Sequence, residues 1–160
     1  MAGARPPMPP QLTVLMVAEK PSIATSLAQV LGGGQSRKRK GISPSSPVHE
    51  YDGSFLNMPA RFKVTSTVGH MWSLDFTKEF NQNQQKVHPV ELFDAPTIHL
   101  EEPRPRMSEH LAHEAQDADV LVLWLDCDRE GENICFEVIT TVHPYMRCAA
   151  GNLPGAYPDA

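Results

Sequence analysis

The sequence predicts an α/β fold with a mainly parallel central sheet flanked by helices. Two apolar runs, residues 13–17 and 120–125, have the length and composition of buried parallel strands. Each run is followed by a short polar turn and then by apolar residues at helical spacing. Strands and helices that alternate in this order form a parallel sheet with right-handed crossovers. A length of 160 residues suggests one domain.

The first unit is a strand, a turn and a helix. Residues 13–17 form the strand and residues 18–22 the turn, in which Pro21 suits the first helical position. Three consecutive glycines, residues 32–34, end the helix. The helical spacing is given by Ile23, Leu27, Val30 and Leu31.

The middle of the chain carries shorter and weaker patterns. Phe62 and Val64 are the inward candidates of the second predicted strand, and Leu111 and Ala115 share one face of the predicted helix. The segments are, in order, a surface loop, two strands, a Pro-rich stretch without regular structure and a helix, at residues 32–47, 48–51, 61–68, 77–106 and 107–116.

The last unit repeats the order of strand, turn and helix. Residues 120–125 show no alternation, which predicts a strand buried on both faces. A turn at residues 126–131 leads to a helix expected over residues 132–142 and closed by Pro144. The apolar positions of this helix are Ile134, Phe136, Val138 and Ile139.

Clustered prolines and the loss of pattern after residue 146 predict a disordered start (1–12), a folded domain (13–146) and a disordered tail (147–160).

Composition limits the classes of function. A net charge of −5 argues against nucleic-acid binding through bulk electrostatics. Three cysteines without a CxxC pair fit a reducing compartment. No apolar run is long enough to cross a membrane, so a soluble, intracellular protein is expected.

Three carboxylates follow the second apolar run at alternate positions. In an extended segment Asp126, Asp128 and Glu130 would point the same way, about 6.5–7 Å apart, and a divalent cation would relieve their repulsion. Mg²⁺ takes one or two carboxylates and keeps several waters. Glu19 follows the first strand, and parallel strands would bring it to the same sheet edge, where ligands bind in open α/β sheets. Four carboxylates with Lys20 beside them therefore predict a magnesium site.

Two other interpretations compete with a magnesium site. Acidic residues are common in the first turn of a helix, where they complement its dipole. The run also fits positions 1, 3, 5, 6 and 12 of a calcium-binding EF-hand loop with Asp126, Asp128, Glu130, Gly131 and Glu137. Against that loop, position 5 is Glu and the preceding segment is β-type, where an EF-hand has a helix.

Two further clusters carry weaker signals. His110 and His113 could share a helix face as metal ligands, but without a third ligand nearby they are interpreted as a solvated face. The basic run at residues 37–40 could contact phosphate or act as a nuclear import signal, although an inert loop explains it equally well.

A resemblance to the Toprim region of type IA DNA topoisomerases rests on three stretches. These are Ala-Glu-Lys-Pro-Ser at residues 18–22, Gly69-His70, and Leu-Asp-Cys-Asp-Arg-Glu-Gly-Glu-Asn-Ile at residues 125–134. The sequence of these stretches, together with that of residues 135–138, is most similar to the beta type of eukaryotic topoisomerase III. The resemblance covers residues 13–146 and implies the Toprim fold, a Rossmann-like domain.

The resemblance also implies roles for individual residues. The Mg²⁺ site would be formed by Glu19, Asp126, Asp128 and Glu130. Asp126 and Asp128 would be its direct ligands, and Glu19 would also transfer a proton near the scissile phosphate. Lys20 would stabilise the charge that builds on that phosphate. His70 would support the same centre, although a structural histidine explains it equally well. Contacts to nucleic acid would come from Lys20, Ser22 and Arg129.

The resemblance implies an ATP-independent type I DNA topoisomerase, an isomerase that cleaves one strand, passes another through the gap and religates. The family's nucleophile is a tyrosine of a separate domain. The sequence around that tyrosine is not matched around Tyr51, Tyr145 or Tyr157, so the chain alone is expected to be inactive.

Implied partners are single-stranded DNA, with RNA as a second candidate, and a Tudor-domain protein. The implied location is the nucleus, with the cytoplasm as an alternative. A non-catalytic nucleic-acid-binding Toprim module and a Toprim nuclease stay open.

Overall fold

The computed structural model describes residues 11–81, 87–101 and 106–147. These ranges contain seven strands and four α-helices, with two 3-10 turns at Pro89–Phe93 and His143–Tyr145. In chain order the elements are β1 (Leu12–Ala18), α1 (Pro21–Leu31), β2 (Arg37–Arg39), β3 (Val48–Phe55), β4 (Met58–Ser66), β5 (Trp72–Phe76), α2 (Lys78–Asn81), β6 (Thr97–Glu101), α3 (Met107–Ala115), β7 (Val120–Trp124) and α4 (Arg129–Val142).

The main sheet has five strands in the order β2-β3-β4-β1-β7. β1 lies between β4 and β7 and runs parallel to both, whereas β3 is antiparallel to β2 and β4. Four of the five strands, β2 included, therefore point the same way. The predicted α/β class with a mainly parallel central sheet is confirmed, and β3 makes the sheet mixed.

β1 is buried on both faces of the sheet, because apolar residues lie on both of its faces. Phe62 and Val64 are buried as predicted, and so are Leu111 and Ala115. One face of β1 packs on α3 and α4 through Leu15, Val17, Leu111, Ala115, Ile134, Val138 and Val142. The other face packs with α1, β3 and β4 through Val14, Met16, Ala18, Ala24, Ala28, Tyr51, Ala60, Phe62 and Val64.

β7 lies at the edge of the main sheet. The predicted burial of residues 120–125 on both faces is wrong, since these residues are partly exposed and Trp124 retains 39% of its surface. The reason is position, because β1 pairs with one side of β7 and no described strand pairs with the other. Alternate residues of β7 still contact the two apolar clusters, so the strand is apolar on both faces without being enclosed.

Residues 32–47 are more ordered than the predicted surface loop. Residues 37–39 form β2, and Ser43 and Ser46 are completely buried. The Arg39 guanidinium donates to Glu50 at 2.7 Å and to Glu114 at 2.8 Å, so this member of the basic run is held in ion pairs. Polar contacts hold this segment in place. Because such contacts need no regular spacing of apolar residues, the sequence carries no periodic pattern from which this order could be predicted.

A second, two-stranded sheet has one of its strands, β6, within the stretch predicted to be irregular. β5 and β6 pair antiparallel, from Trp72 with Glu101 to Phe76 with Thr97. The prediction for residues 77–106 is wrong for this part; residues 82–86 and 102–105 lie outside the described residues. Leu74 and Leu100 remain 62% and 42% exposed, so these strands bury too little apolar surface to require a clear alternation of apolar and polar residues.

The last helix begins earlier than predicted. α4 starts at Arg129 because the Asp128 side chain caps it, with Oδ1 accepting the backbone N–H of Gly131 at 2.7 Å. Phe136 and Ile139, predicted as apolar positions of this helix, are 62% and 37% exposed. Both therefore lie on the outer side of α4.

His110 is part of the core, and its predicted place on a solvated face is wrong. The residue is completely buried, Nδ1 accepts the N–H of Ile42 at 3.2 Å, and Nε2 lies 2.8 Å from Thr65 Oγ1. Burial lowers the pKa of His110. Partners on two other segments, neither of them adjacent in sequence, therefore fix the imidazole as a neutral group.

The ends of the described chain belong to the folded unit. Leu12 opens β1, and the N–H of Arg147 donates to Ala118 O at 3.0 Å. Most of the predicted disorder, at residues 1–10 and 148–160, lies outside the described residues. Within the described ranges, no helix has the length and apolarity needed to cross a bilayer.

Candidate metal centre

Three strand ends meet at one edge of the main sheet. The register pairs Ala18 of β1 with Ser66 of β4 and with Trp124 of β7, so the three following segments leave the sheet together. The segment after β4 is tied to the one after β1, because the N–H of Val68 donates to Glu19 O at 2.9 Å. The parallel pairing on which the predicted site depends is confirmed.

Three carboxylates raise the pKa of Lys20. Its Nζ lies 3.2 Å from Glu19 Oε1. The pKa of Lys20 is raised above its ordinary value by the hydrogen bond with Glu19 and then by the charges of Glu19, Asp126 and Glu130. The Lys20 side chain is 58% exposed and that of Glu19 only 13%, so the ammonium group stays open to an anion from solvent.

The acidic run spans the end of β7 and the first turn of α4. Asp126 and Asp128 precede the helix and are exposed, whereas Glu130 lies inside it. The predicted extended spacing of all three carboxylates is therefore wrong. Asp128 also has a structural partner, since one of its oxygens caps α4, which leaves its second oxygen for a ligand.

The calcium-loop interpretation of the same residues is wrong. A strand, β7, precedes Asp126 where an EF-hand has a helix. Glu137, the residue at the twelfth position, lies well inside α4 and is already bound. Its Oε2 accepts the N–H of Met71 at 2.8 Å, and its Oε1 lies 3.0 Å from His70 Nδ1.

His70 lies between the acidic run and the middle of α4. Its Nε2 is 3.6 Å from Glu130 Oε1, and its Nδ1 faces Glu137. Sequence reasoning missed Glu137 as a partner of His70. Helical spacing could have shown it, because Glu130, Asn133 and Glu137 at i, i+3 and i+7 share one face of α4.

Ser22 and Arg129 open two helices beside the acidic residues. Ser22 lies in the first turn of α1 and Arg129 is the first residue of α4, and both are exposed. α1 and α4 begin just past the ends of β1 and β7, so their N-termini lie at the same sheet edge. Helix N-termini attract anions such as phosphate. A role of these two residues in binding nucleic acid stays a prediction.

The donor set at this edge fits a hard divalent cation. Across the described ranges, no three Asp, Glu, His or Cys side chains form a ready-made metal cage. Mg²⁺ does not require one, because it binds through one or two carboxylates and keeps several waters. Asp126 and Glu130 supply exposed carboxylate oxygens close enough to affect Lys20, which is the kind of ligand that Mg²⁺ prefers.

Comparison with known proteins identifies the domain. The family model of the Toprim domain matches residues 14–153. The chain is 54% identical over 129 residues to DNA topoisomerase 3-beta of Arabidopsis thaliana, which covers 80% of this chain and 14% of that protein. It is 50% identical over 141 residues to DNA topoisomerase 3-beta-1 of Homo sapiens, with 87% and 16% covered. The chain thus spans a small part of these relatives' length, and it belongs to the Toprim domain family.

Proposed function

We propose that this chain binds Mg²⁺ and supplies the metal-carboxylate part of the strand-cleavage centre of a type IA DNA topoisomerase. One observation carries the proposal. β1 and β7 are parallel neighbours, so Glu19 and Asp126 leave the same sheet edge, and the pKa of Lys20 is raised by both carboxylates. Relatives whose names describe them as DNA topoisomerases support DNA as the substrate.

The proposed chemistry is a transesterification at a DNA phosphate. A tyrosine oxygen attacks the phosphorus atom, the bond from phosphorus to a sugar oxygen breaks, and negative charge builds on the phosphoryl oxygens. The Lys20 ammonium group would stabilise that charge, and Glu19, 3.2 Å from it, would accept or return a proton. Mg²⁺ held by Asp126, Asp128 and Glu130 would supply further positive charge at the phosphate.

The nucleophile must come from outside the described residues. Tyr51 is buried and stacks on Phe62 with ring centroids 4.7 Å apart, and burial raises its pKa. Tyr145 follows the far end of α4, whose 14 residues separate it from the acidic run by about 20 Å. Tyr157 lies outside the described residues. We therefore expect no relaxation of plasmid DNA by this chain alone in Mg²⁺, and nicking that depends on the protein would contradict this expectation.

Mg²⁺ binding by the isolated chain is the direct test of the proposal. Titration followed by calorimetry or by amide shifts in NMR is expected to show weak, saturable binding. Asp126→Asn combined with Asp128→Asn should abolish it, because two carboxylate ligands become neutral amides. Asparagine caps a helix as well as aspartate does, so α4 should keep its N-terminus in this variant.

A matched control separates ligand loss from loss of charge. Asp52 lies on β3 opposite Arg61, at the other end of the sheet, and Asp52→Asn removes one negative charge there, where the double substitution removes two from the acidic run. Mg²⁺ binding should be the same in this variant as in wild type. Equal weakening by Asp52→Asn, or unchanged binding after the double substitution, would show that the acidic run is not the site.

A nuclease is the second candidate, favoured by exposed carboxylates that need no tyrosine to activate water. Single-strand nicks with free ends would support it, whereas a 5′-phosphotyrosine adduct formed once the tyrosine domain is added would support the topoisomerase. RNA as a substrate, a Tudor-domain partner and a nuclear location stay predictions, as does a purely nucleic-acid-binding role.

A further inference from the structure

We infer that Glu137 is a positioning residue that holds the His70 imidazole with Nδ1 protonated and Nε2 turned toward the acidic run. The inference deepens the proposed function, on which it rests for the place of His70 beside the phosphate. It adds a residue on α4 outside the Asp-x-Asp-x-Glu run, and it assigns the tautomer of the histidine.

The Glu137 carboxylate joins two segments through three contacts. Oε1 lies 3.0 Å from His70 Nδ1 and accepts a bond from Asn133 Nδ2 at 3.1 Å, while Oε2 accepts the N–H of Met71 at 2.8 Å. The side chain is only 11% exposed, so water contributes little to its hydrogen bonding. All three neighbours can act as donors, which suits an ionised carboxylate because it only accepts.

This arrangement decides which ring nitrogen of His70 carries the proton. Because the carboxylate has no hydrogen to give, the short contact is a hydrogen bond only when Nδ1 is protonated. In the neutral ring Nε2 is then the free acceptor, and it is the atom 3.6 Å from Glu130 Oε1. In water the Nε2–H form of histidine predominates, so the assigned tautomer is one that a partner must impose.

A simpler reading gives Glu137 a purely structural role. The loop after β4 turns through two residues of positive φ, Val68 at 64° and Gly69 at 90°, and the bond to the Met71 N–H ties that loop to α4. Such a tether would affect stability without affecting the histidine tautomer. The two roles therefore differ in a spectroscopic property of the His70 ring.

Glu137→Gln separates the two roles because it keeps the tether and reverses the polarity toward the histidine. The amide oxygen can still accept the Met71 N–H, which is fixed by the backbone. The amide NH₂ then faces Nδ1 and donates to it, so the neutral ring must carry its proton on Nε2. Asn133 can rotate its own amide to match.

The test is a long-range ¹H–¹⁵N NMR spectrum of histidine-labelled chain, recorded without metal or DNA at a pH where the rings are neutral. His70→Asn identifies the His70 signals among the seven histidines. Wild type should show a protonated Nδ1 and a bare Nε2, and Glu137→Gln should exchange the two. Glu132→Gln, the same substitution at an exposed site on α4, should keep the wild-type pattern.

Each outcome decides the inference. A wild-type ring protonated on Nε2 overturns it, even if the variant does not fold, and so does a Glu137→Gln ring still protonated on Nδ1. Reversal by Glu132→Gln also overturns it, because the effect would then be one of charge alone. Since the measurement uses no Mg²⁺, failure here leaves the Mg²⁺ titration untouched, and failure of that titration leaves the tautomer assignment standing.

Discussion

Replacing Glu114 with alanine is expected to lower the free energy of unfolding by about 3 kcal/mol, because the cations of a buried ion-pair network lose one of their counter-charges. The Glu114 side chain is 1% exposed, and its carboxylate accepts hydrogen bonds from both terminal nitrogens of the Arg39 guanidinium. Lys63 Nζ lies 3.7 Å from Oε2. The substitution would remove the group that joins β2 and β4 to α3.

The size of the loss is set by the partners that remain. Arg39 keeps Glu50, with a 2.7 Å bond, and its side chain is 37% exposed, so water can compensate part of its charge. Lys63 keeps its ion pair with Asp117. For these reasons we expect the low end of the range of about 3–5 kcal/mol that is typical of a broken buried pair.

The same carboxylate is expected to make the protein sensitive to acid. Burial alone would raise the pKa of Glu114, but the hydrogen bonds and charge of Arg39, with the charge of Lys63, outweigh burial and hold the pKa below its ordinary value of 4.5. The unfolded chain therefore binds more protons below that pH. The stabilisation by Glu114 is complete above its unfolded pKa and is lost as pH falls through the folded pKa, so Glu114→Ala should flatten the acid limb of the stability profile.

Urea unfolding of wild type and variant measures both effects. Glu109→Ala is the matched control, because Glu109 lies on the same helix, pairs with Arg106 at 2.5 Å and is 54% exposed. An exposed pair contributes little, so this control should unfold at nearly the same urea concentration as wild type. If Glu114→Ala costs no more than Glu109→Ala, the buried network does not stabilise the fold.

The sequence was sufficient to predict β1, β7 and the sheet edge that carries the acidic residues. These features depend on local properties: uninterrupted apolar runs, a proline in the first turn of α1, and acidic residues directly after a strand. Once β1 and β7 are parallel neighbours, the geometry of the sheet brings Glu19 and Asp126 to one edge without further information. The resemblance to type IA topoisomerases pointed to the same residues.

The features that sequence reasoning missed depend on contacts between distant segments. His110 is buried because Thr65, 45 positions away, and Ile42, 68 positions away, supply its hydrogen bonds. Glu137 is bound to His70 and Met71, whose positions relative to α4 only the folded chain defines. Polar partners of this kind leave no periodic signal. The exposure of β7 likewise depends on which strands are present beside it, which its own composition does not reveal.

Replacing Gly131 with alanine is expected both to destabilise the fold and to weaken Mg²⁺ binding. Gly131 is buried in the first turn of α4, where its N–H donates to Asp128 Oδ1 at 2.7 Å. A Cβ at this position would overlap the carbonyl oxygen of Asp126 and lie 3.0 Å from its carbonyl carbon. The obstacle is main chain, which cannot rotate away as a flexible side chain can.

Two opposing effects decide the sign of the change in stability. In an unobstructed helix, alanine is more stable than glycine by about 1 kcal/mol. Here the inserted methyl group must displace the backbone of Asp126, and overpacking of this kind costs about 1–3 kcal/mol. A net loss follows, and the displaced segment carries both of the proposed direct ligands, Asp126 and Asp128.

Mg²⁺ titration then tests whether Gly131 keeps the acidic run in place. Loss of a group that orients metal ligands weakens binding by about 10–100-fold, and we expect a loss in that range for Gly131→Ala, although no carboxylate is removed. Gly53→Ala is the control, because Gly53 lies on β3 opposite Ala60, at the other end of the sheet, and its new Cβ would meet a side-chain atom of Phe62 at 3.2 Å. That variant should bind Mg²⁺ as wild type does. If Gly131→Ala raised stability, or kept full affinity for Mg²⁺, the close approach of Asp126 to α4 would not be what positions the site.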